Sequence, residues 1–158
     1  MSPKNLLQLL LQEKFDFVLV GGYAGVVHGV SLVTEDLDIC AVINDDRLHR
    51  LREILKPYHP VHRMTPQRIS FLEHPQSAEK WNNIYLRTDL GQLDVLNEIT
   101  GVGDLARLKQ NAAWIDLYGH RCAVISIDDL IVAKKTVGRE KDLLAVKELE
   151  VIRQRRKT

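Results

Sequence analysis

The sequence lacks the features that mark several classes of protein. No stretch rich in glycine, serine and proline divides its 158 residues, and no repeat or low-complexity segment appears. We therefore expect a single domain over residues 1–158. The amphipathic stretch over residues 5–13 is too short to cross a membrane, and the N-terminal region has no signal-peptide cleavage pattern. These absences predict a cytoplasmic protein with no membrane partner.

Net charge and cysteine are also scarce. Lysine and arginine number 22 against 21 aspartates and glutamates, a formal charge of +1, so no overall field draws the protein to nucleic acid. Contact with RNA would need a local patch such as the basic residues 153–157, which the end of a helix explains equally well. Cys40 and Cys122 lie in apolar runs and are typical of buried thiols in a reducing compartment.

A pair of aspartates stands out in what the sequence does contain. An apolar run over residues 17–20 ends in Gly21-Gly22, and a helix-length stretch separates these glycines from Asp36-Leu37-Asp38. Side chains two apart on a strand point to the same face, so both carboxylates would lie together. Two close carboxylates repel each other, and a bound Mg²⁺ (or Mn²⁺) would relieve that repulsion. Amides at a helix start after the glycines would suit phosphate oxygens, although an ordinary turn is the alternative.

A third carboxylate extends this arrangement. Residues 83–87 and 92–96 are strand-like runs joined by a tight turn, and Asp94 sits among apolar neighbours in the second run. A lone carboxylate is unexpected there unless it has a partner. If the hairpin lies beside the strand of Asp36 and Asp38, the three carboxylates can converge on one or two metals.

The order of elements predicts a mixed α/β (α+β) fold, with a twisted sheet flanked by helices. We expect early helices over residues 3–14, 23–29 and 45–56, with strands over 16–20 and 37–43. The polar segment 57–80 breaks this periodicity and contains one short predicted strand, residues 68–72. A hairpin over 84–96, a helix over 103–111, a second hairpin around 118–120 and two closing helices from about residue 126 complete the prediction. Strands alternating with helices early and hairpins later indicate parallel and antiparallel pairing in one sheet.

The combined motifs resemble a known superfamily. The residues Gly21-Gly22, His28-Gly29, Thr34, Asp36-x-Asp38 and Gly91-x-Leu93-Asp94 are similar to those of the nucleotidyltransferases that include DNA polymerase beta. The chain is most similar to small bacterial minimal nucleotidyltransferases, some of whose relatives are toxin–antitoxin or phage-defence components. Residues 126–134 and 138–142 are also typical of that group.

The resemblance implies roles for particular residues. Asp36, Asp38 and Asp94 would be the catalytic, metal-binding residues. Nucleotide would be bound by residues from the glycine turn, the following loop and the closing helices: Gly21, Gly22, Thr34, Lys134, Arg139 and Lys141. A solvated basic face is the alternative for the last three. The chain departs from the better-known enzymes at two positions, with Gly22 in place of serine and Leu32 in place of an arginine.

The resulting hypothesis is a Mg²⁺-dependent transferase that moves a nucleoside monophosphate from an NTP to a hydroxyl group. The acceptor, whether RNA, protein or small molecule, is left open, as is a partner protein in a two-component system. A nucleotide-binding or protein-interaction module that has lost turnover is the alternative.

Overall fold

The computed structural model describes residues 3–157, and helices and strands alternate along most of that range. The helices are α1 (Lys4–Gln12), α2 (Gly21–His28), α3 (Asp45–Leu55), α4 (Leu105–Asn111), α5 (Ile127–Val137) and α6 (Glu140–Arg156). The strands are β1 (Val18–Val20), β2 (Asp36–Cys40), β3 (Val61–His62), β4 (Asn83–Thr88), β5 (Gly91–Leu96), β6 (Glu98–Ile99), β7 (Gly103–Asp104), β8 (Ala113–Leu117) and β9 (His120–Val124).

Seven of these strands form one mixed sheet in the order β3-β4-β5-β2-β1-β9-β8. Strand β2 is parallel to β5, and β1 is parallel to β9, whereas the remaining neighbours are antiparallel. Strands β6 and β7 form a separate small ribbon. The predicted mixed sheet with flanking helices is therefore confirmed, and both predicted hairpins are present as β4–β5 and β8–β9.

Burial explains why these segments adopt their structures. All three residues of β1 are buried because the strand lies inside the sheet with helices covering it. Helix α1 buries Leu6, Leu7, Leu10 and Leu11, a spacing that places them on one side of a helix. The thiols of Cys40 and Cys122 are free and buried, as their apolar surroundings in the sequence predict.

The predicted strand over residues 68–72 is wrong. Strand β3 lies earlier, at Val61–His62, and only Ser70 bridges back to Val61. The guanidinium of Arg52 fixes this region instead: it donates to the carbonyl of Phe71 at 2.6 Å and also to that of Pro75. Arg52 also stacks over the ring of buried Phe71. The segment pairs for one bridge only, with the amides of His62 and Phe71 donating to the carbonyls of Ile69 and Pro60, and Arg52 binds the Phe71 carbonyl where a longer strand would have paired.

The same region contains two aromatic residues that pack on each other. The rings of His62 and Trp81 lie 4.9 Å apart, and His62 Nε2 bonds to the carbonyl of His74. Both side chains therefore stabilise the segment that follows α3. Across residues 3–157, no helix has the length and apolar character needed to cross a membrane.

Candidate functional site

Asp36, Asp38 and Asp94 lie on one face of the sheet. Asp38 of β2 is directly opposite Asp94 of β5 in the parallel register, and Asp36 is two residues earlier on β2. The intervening residues Leu37 and Ile39 are fully buried on the other face. Because side chains alternate along a strand, the same pleat that buries these leucine and isoleucine side chains brings the three carboxylates together.

This clustering changes the acidity of Asp38. Burial raises the pKa of Asp38 to about 7, and the negative charges of Asp94 and Asp36, with a hydrogen bond to Asp94, act in the same direction. Lys134 opposes the shift. A carboxylate crowded in this way gains most from a cation that neutralises it.

Asp94 differs from the other two carboxylates because an arginine holds it. Arg63 Nη2 donates to Asp94 Oδ1 at 2.6 Å, and both side chains are mostly buried. Burial raises the pKa of Asp94, whereas the hydrogen bond and charge of Arg63 lower it. No motif predicts this contact, since the partners are 31 residues apart and meet only because β3 pairs with β4 and β4 with β5.

The two glycines lie where β1 passes into α2. Gly21 is the first residue of α2, and no side chain caps this helix end, so its first amides are available to an anion. Gly21 has a φ of +69°, and an added Cβ would lie 2.8 Å from the Cβ of Asp38. Gly22 faces Thr34, where an added Cβ would be 3.2 Å from Oγ1. The helix start is thus in direct contact with both the carboxylate cluster and the loop of Thr34.

A cavity of about 480 Å³ opens at this helix start. Its lining contains most of the residues that the sequence singled out: Gly21, Gly22, Thr34, Asp36, Asp38, Lys134, Arg139 and Lys141. Asp94 is absent from the described residues that line this cavity. The structure thus brings eight of the nine predicted residues to one cavity and places Asp94 next to Asp38, outside its lining.

The basic residues approach the cavity from α5 and α6. Lys134 is largely buried, and this burial lowers the pKa of its ammonium group, with Asp142 and Asp38 opposing the shift. Arg139 Nε donates to Asp142 Oδ2 at 2.7 Å, and that carboxylate also accepts from the Arg139 amide at the start of α6. Asp142 therefore holds both cations at the edge of the cavity, in addition to capping a helix.

Sequence reasoning missed the apolar part of this cavity. Leu32, Val33, Leu96, Ile99, Ile125, Leu130, Ala133 and Val137 line it. None of the described lining residues is aromatic, so an aliphatic surface would face any nucleobase that enters. Of these apolar residues, only Leu32 could have been recognised from the sequence, because the resemblance predicts an arginine at that position.

The donor atoms at Asp36 and Asp38 suit a hard divalent cation, because carboxylate oxygens are its preferred ligands. Burial, together with the negative charges of Asp94 and Asp36, raises the pKa of Asp38, and a bound cation would offset both effects. Within residues 3–157, however, no group of three or more histidine, cysteine, aspartate or glutamate side chains is arranged to hold a metal ion. Asp36 and Asp38 present two carboxylates to the cavity, while Asp94 shares hydrogen bonds with both Arg63 and Asp38.

The basic end of α6 is tied to the rest of the protein. Arg153 donates to Asp128, and Arg156 contacts both the ring Nδ1 and the carbonyl of His28. His28 Nε2 in turn donates to the carbonyl of Ile125 at 2.7 Å. These contacts join the end of α2 to the end of α6 and give His28 a structural position.

Comparisons with known proteins find similarity in structure. No protein-family model matches the sequence, and no curated protein sequence matches it either. The chain is similar to a lincosamide antibiotic adenylyltransferase, LnuA, solved with lincomycin bound, with a TM-score of 0.62, 16% identity and 94% of each chain covered.

Two further solved structures are similar. A Thermotoga maritima protein, described as a candidate nucleotidyltransferase, has a TM-score of 0.55 at 16% identity, with 94% of each chain covered. The antibiotic-resistance protein ANT(2")-Ia, solved with adenylyl-2"-tobramycin, has a TM-score of 0.53 at 15% identity, covering 94% of this chain and 91% of its own. At these identities the similarity shows the fold, and the chain has the nucleotidyltransferase fold that the resemblance implied.

Proposed function

We propose that the protein is a Mg²⁺- or Mn²⁺-dependent nucleotidyltransferase that transfers a nucleoside monophosphate from an NTP to a hydroxyl group of a small molecule. One observation carries this proposal: the uncapped start of α2, the crowded pair Asp36–Asp38 and the cations of α5 and α6 all border one cavity. A triphosphate needs these three elements together, because its charge exceeds what one divalent ion or one helix end can balance.

Each group in the cavity has a role in this reaction. Asp36 and Asp38 would hold the divalent cation, which supplies charge neutralisation on the triphosphate. The amides of Gly21 and Gly22 and the ammonium group of Lys134 would bind phosphate oxygens from opposite sides. Arg139 and Lys141 would neutralise the outer phosphates, and Thr34 would fix the loop beside them.

The chemistry is a single displacement at phosphorus. The acceptor hydroxyl gives its proton to a carboxylate of the cluster or to water, its oxygen forms a bond to the α-phosphorus, the bond from that phosphorus to the bridging oxygen breaks, and pyrophosphate leaves with the electron pair. Asp94 lies beside Asp38 on the same face, so its carboxylate would complete the metal shell or take a hydrogen bond from the attacking hydroxyl. The chain contributes positioning and charge, and forms no covalent intermediate.

The small-molecule acceptor rests on the structural neighbours. LnuA was solved with lincomycin and ANT(2")-Ia with adenylyl-2"-tobramycin, and this chain aligns with each over nearly its whole length. We further propose that residues 1–158 act as one nucleotidyltransferase-like domain, with the helices from residue 126 packing beside the active site. RNA, a protein side chain and a toxin–antitoxin or phage-defence partner are the other acceptors and partners that the resemblance implies.

A two-stage experiment tests the proposal. Thermal shifts with ATP, GTP, CTP and UTP, each with and without Mg²⁺ or Mn²⁺, should show stabilisation that needs both nucleotide and metal. Asp36→Asn and Asp38→Asn should lose it, whereas Asp116→Asn, a change at an exposed position on β8, should keep it. Equal stabilisation of Asp38→Asn and the parent would contradict the proposal.

The second stage identifies the acceptor. Transfer of α-³²P label should be measured to hydroxylated antibiotics of the lincosamide and aminoglycoside types, to total RNA and to a protein mixture. Label on a small molecule supports the proposed acceptor, while label on RNA or protein alone overturns it. Metal-dependent NTP binding with no transfer or NTP hydrolysis would point to a module that keeps the fold without turnover.

A further inference from the structure

Arg63 occupies a position at the carboxylate cluster that no sequence motif predicts. It follows directly after β3, and its amide donates to the carbonyl of Tyr85 on β4. Tyr85 is opposite Asp94 in the β4–β5 register. The guanidinium of Arg63 reaches over the Tyr85 ring, 5.3 Å from its centre, and ends on Asp94.

Several separate contacts therefore hold the Arg63 side chain in place. The backbone bond to β4 sets where the side chain starts, the Tyr85 ring supports its face, and Asp94 accepts at 2.6 Å. The Arg63 side chain is 19% exposed and that of Asp94 is 13% exposed, so water screens the pair only weakly. Such a pair resists separation, since each partner would leave an uncompensated charge in a mostly buried place.

The three aspartates are consequently not equivalent. Asp36 and Asp38 border the cavity, but Asp94 does not, and its Oδ1 already has a cationic partner. A divalent ion that bound to Asp94 would have to displace the guanidinium or take the other oxygen, Oδ2. Displacement would strand a mostly buried positive charge, and binding through Oδ2 would use a carboxylate whose negative charge Arg63 already offsets. Arg63 Nε is itself buried without a hydrogen-bond partner, so the side chain already lacks solvent access on the inner side.

We propose that Arg63 is a positioning residue that withholds Asp94 from the metal, so that the cation is held by Asp36 and Asp38 and Asp94 stays aimed at the acceptor side. This inference rests on the proposed function and chooses between the two roles left open there for Asp94. Through the side chain of Arg63, the segment over residues 56–82 would then be part of the active site.

Mn²⁺ binding to four proteins tests the inference, with free Mn²⁺ measured by electron paramagnetic resonance in the absence of nucleotide. The four are the parent, Arg63→Met, Asp94→Asn and the double variant Arg63→Met/Asp94→Asn. The double variant removes one positive and one negative charge and so keeps the net charge of the parent. This match is the essential control, because Asp94→Asn alone leaves Arg63 unpaired near the metal.

The inference gives a specific pattern of affinities. Arg63→Met frees a carboxylate and should bind Mn²⁺ roughly tenfold more tightly. The double variant should return to within about twofold of the parent, because the parent does not use Asp94 as a ligand. Asp94→Asn alone should bind Mn²⁺ more weakly than the double variant. A double variant that binds much more weakly than the parent, or an Arg63→Met protein with unchanged affinity, overturns the inference.

A measurement without substitutions covers the case in which Arg63→Met does not fold. Crystals of the parent soaked in MnCl₂ should show anomalous density at coordination distance, about 2.1 Å, from oxygens of Asp36 and Asp38. Density at that distance from Asp94 overturns the inference and leaves the proposed function standing. If neither the parent nor Arg63→Met binds Mn²⁺, the inference fails, whereas the proposed function is decided separately by the thermal shifts that need both nucleotide and metal.

Discussion

Gly21 packs directly against the side chain of Asp38. The backbone of the glycine takes a left-handed conformation, and the carboxylate occupies the space where any other residue would carry its Cβ. The first residue of α2 and the central aspartate of β2 are therefore fitted to each other. Antiparallel pairing of β1 with β2 brings them together, since Val20, the residue before Gly21, is opposite Asp38.

Replacing Gly21 with alanine should damage both stability and binding. The new methyl group would collide with Asp38 in a left-handed conformation that alanine disfavours, and together these effects should cost on the order of 3 kcal/mol. Gly119→Ala is the matched control, because Gly119 also has a positive φ but has nothing within 4 Å of an added Cβ. It should cost only about 1 kcal/mol. Urea denaturation measures both, and equal losses would mean that the contact with Asp38 does not matter.

Gly22 should tolerate substitution better than Gly21. An added Cβ there meets Thr34 Oγ1 at 3.2 Å, a contact that a small side-chain movement relieves. Gly22→Ala should therefore fold with a loss below about 1 kcal/mol, while the larger Gly22→Val should weaken nucleotide binding more than folding. Calorimetric titration with Mg²⁺ and NTP checks this. If Gly22→Val binds as well as the parent, the glycine pair is only a turn.

Asp38→Asn should stabilise the metal-free protein at neutral and alkaline pH. Because the folded pKa of Asp38 is raised from 3.8 to about 7, its contribution is fully present below pH 4 and is lost as the pH rises through 7. The asparagine carries no such penalty, so the variant should exceed the parent by on the order of 3 kcal/mol at pH 8.

The measurement is denaturant unfolding in EDTA from pH 4 to pH 9. The difference between the variant and the parent should grow between pH 4 and pH 7 and then level off. Adding Mg²⁺ with NTP at pH 8 should stabilise the parent alone. A variant that is less stable than the parent at every pH would mean that Asp38 neutralises a buried cation.

Lys134→Met should weaken triphosphate binding by at least about tenfold, equivalent to 1.4 kcal/mol. The Lys134 ammonium group lies at the cavity, 3.7 Å from Asp142, and is largely buried, so water screens its attraction to a phosphate only weakly. The neighbouring Lys135 provides a matched control, since it is exposed and pairs with Glu150 away from the cavity. Lys135→Met should bind NTP like the parent. Equal effects of the two changes would indicate a general basic face.

His28 should make the protein less stable in mild acid. Burial lowers the pKa of His28 below 6.5, and nearby Arg156 acts in the same direction, while the bond to Ile125 opposes both. The contribution of the neutral ring is therefore present above pH 6.5 and is lost as the pH falls through the folded pKa. His28→Leu should cost about 1–3 kcal/mol at pH 8, through the unpaired Ile125 carbonyl, and should show a flatter pH dependence below 6.5. An unchanged slope would place the titration elsewhere, with His62 as the next group to test.

Much of the fold could be predicted from the sequence because most helices and strands have a recognisable local spacing of apolar residues. Strands β2 and β5 carry alternating buried residues, and α1 and α3 carry helical spacing, so their positions were predicted to within two or three residues. The predicted strand over residues 68–72 failed because its pairing with residues 60–62 is limited to one bridge, and Arg52, a residue of α3, binds the carbonyls of Phe71 and Pro75. Long-range side-chain contacts of this kind leave no periodic trace in the chain.

The candidate site also has some features that follow from the sequence and others that depend on packing between distant segments. The spacing of Asp36 and Asp38 on a single strand follows from their sequence positions alone. That Asp94 is in register with Asp38 depends on parallel pairing between segments far apart in the chain, which the sequence could only suggest. The contact of Arg63 with Asp94 and the double role of Asp142 depend on packing between elements, and no motif encodes them.

The contacts of α6 have a consequence for how the protein is made. Ser31, at the start of the loop that carries Thr34, donates a hydrogen bond to Glu148, which is 117 residues later in the chain. His28 bonds to Arg156, which is 128 residues later. Because a chain emerges from the ribosome in order, the aspartates are synthesised before the partners that fix the loop beside them. A nascent chain therefore has an incomplete cavity until α6 has emerged and is free to dock. Competence to bind a nucleotide would arise only after that helix has been made.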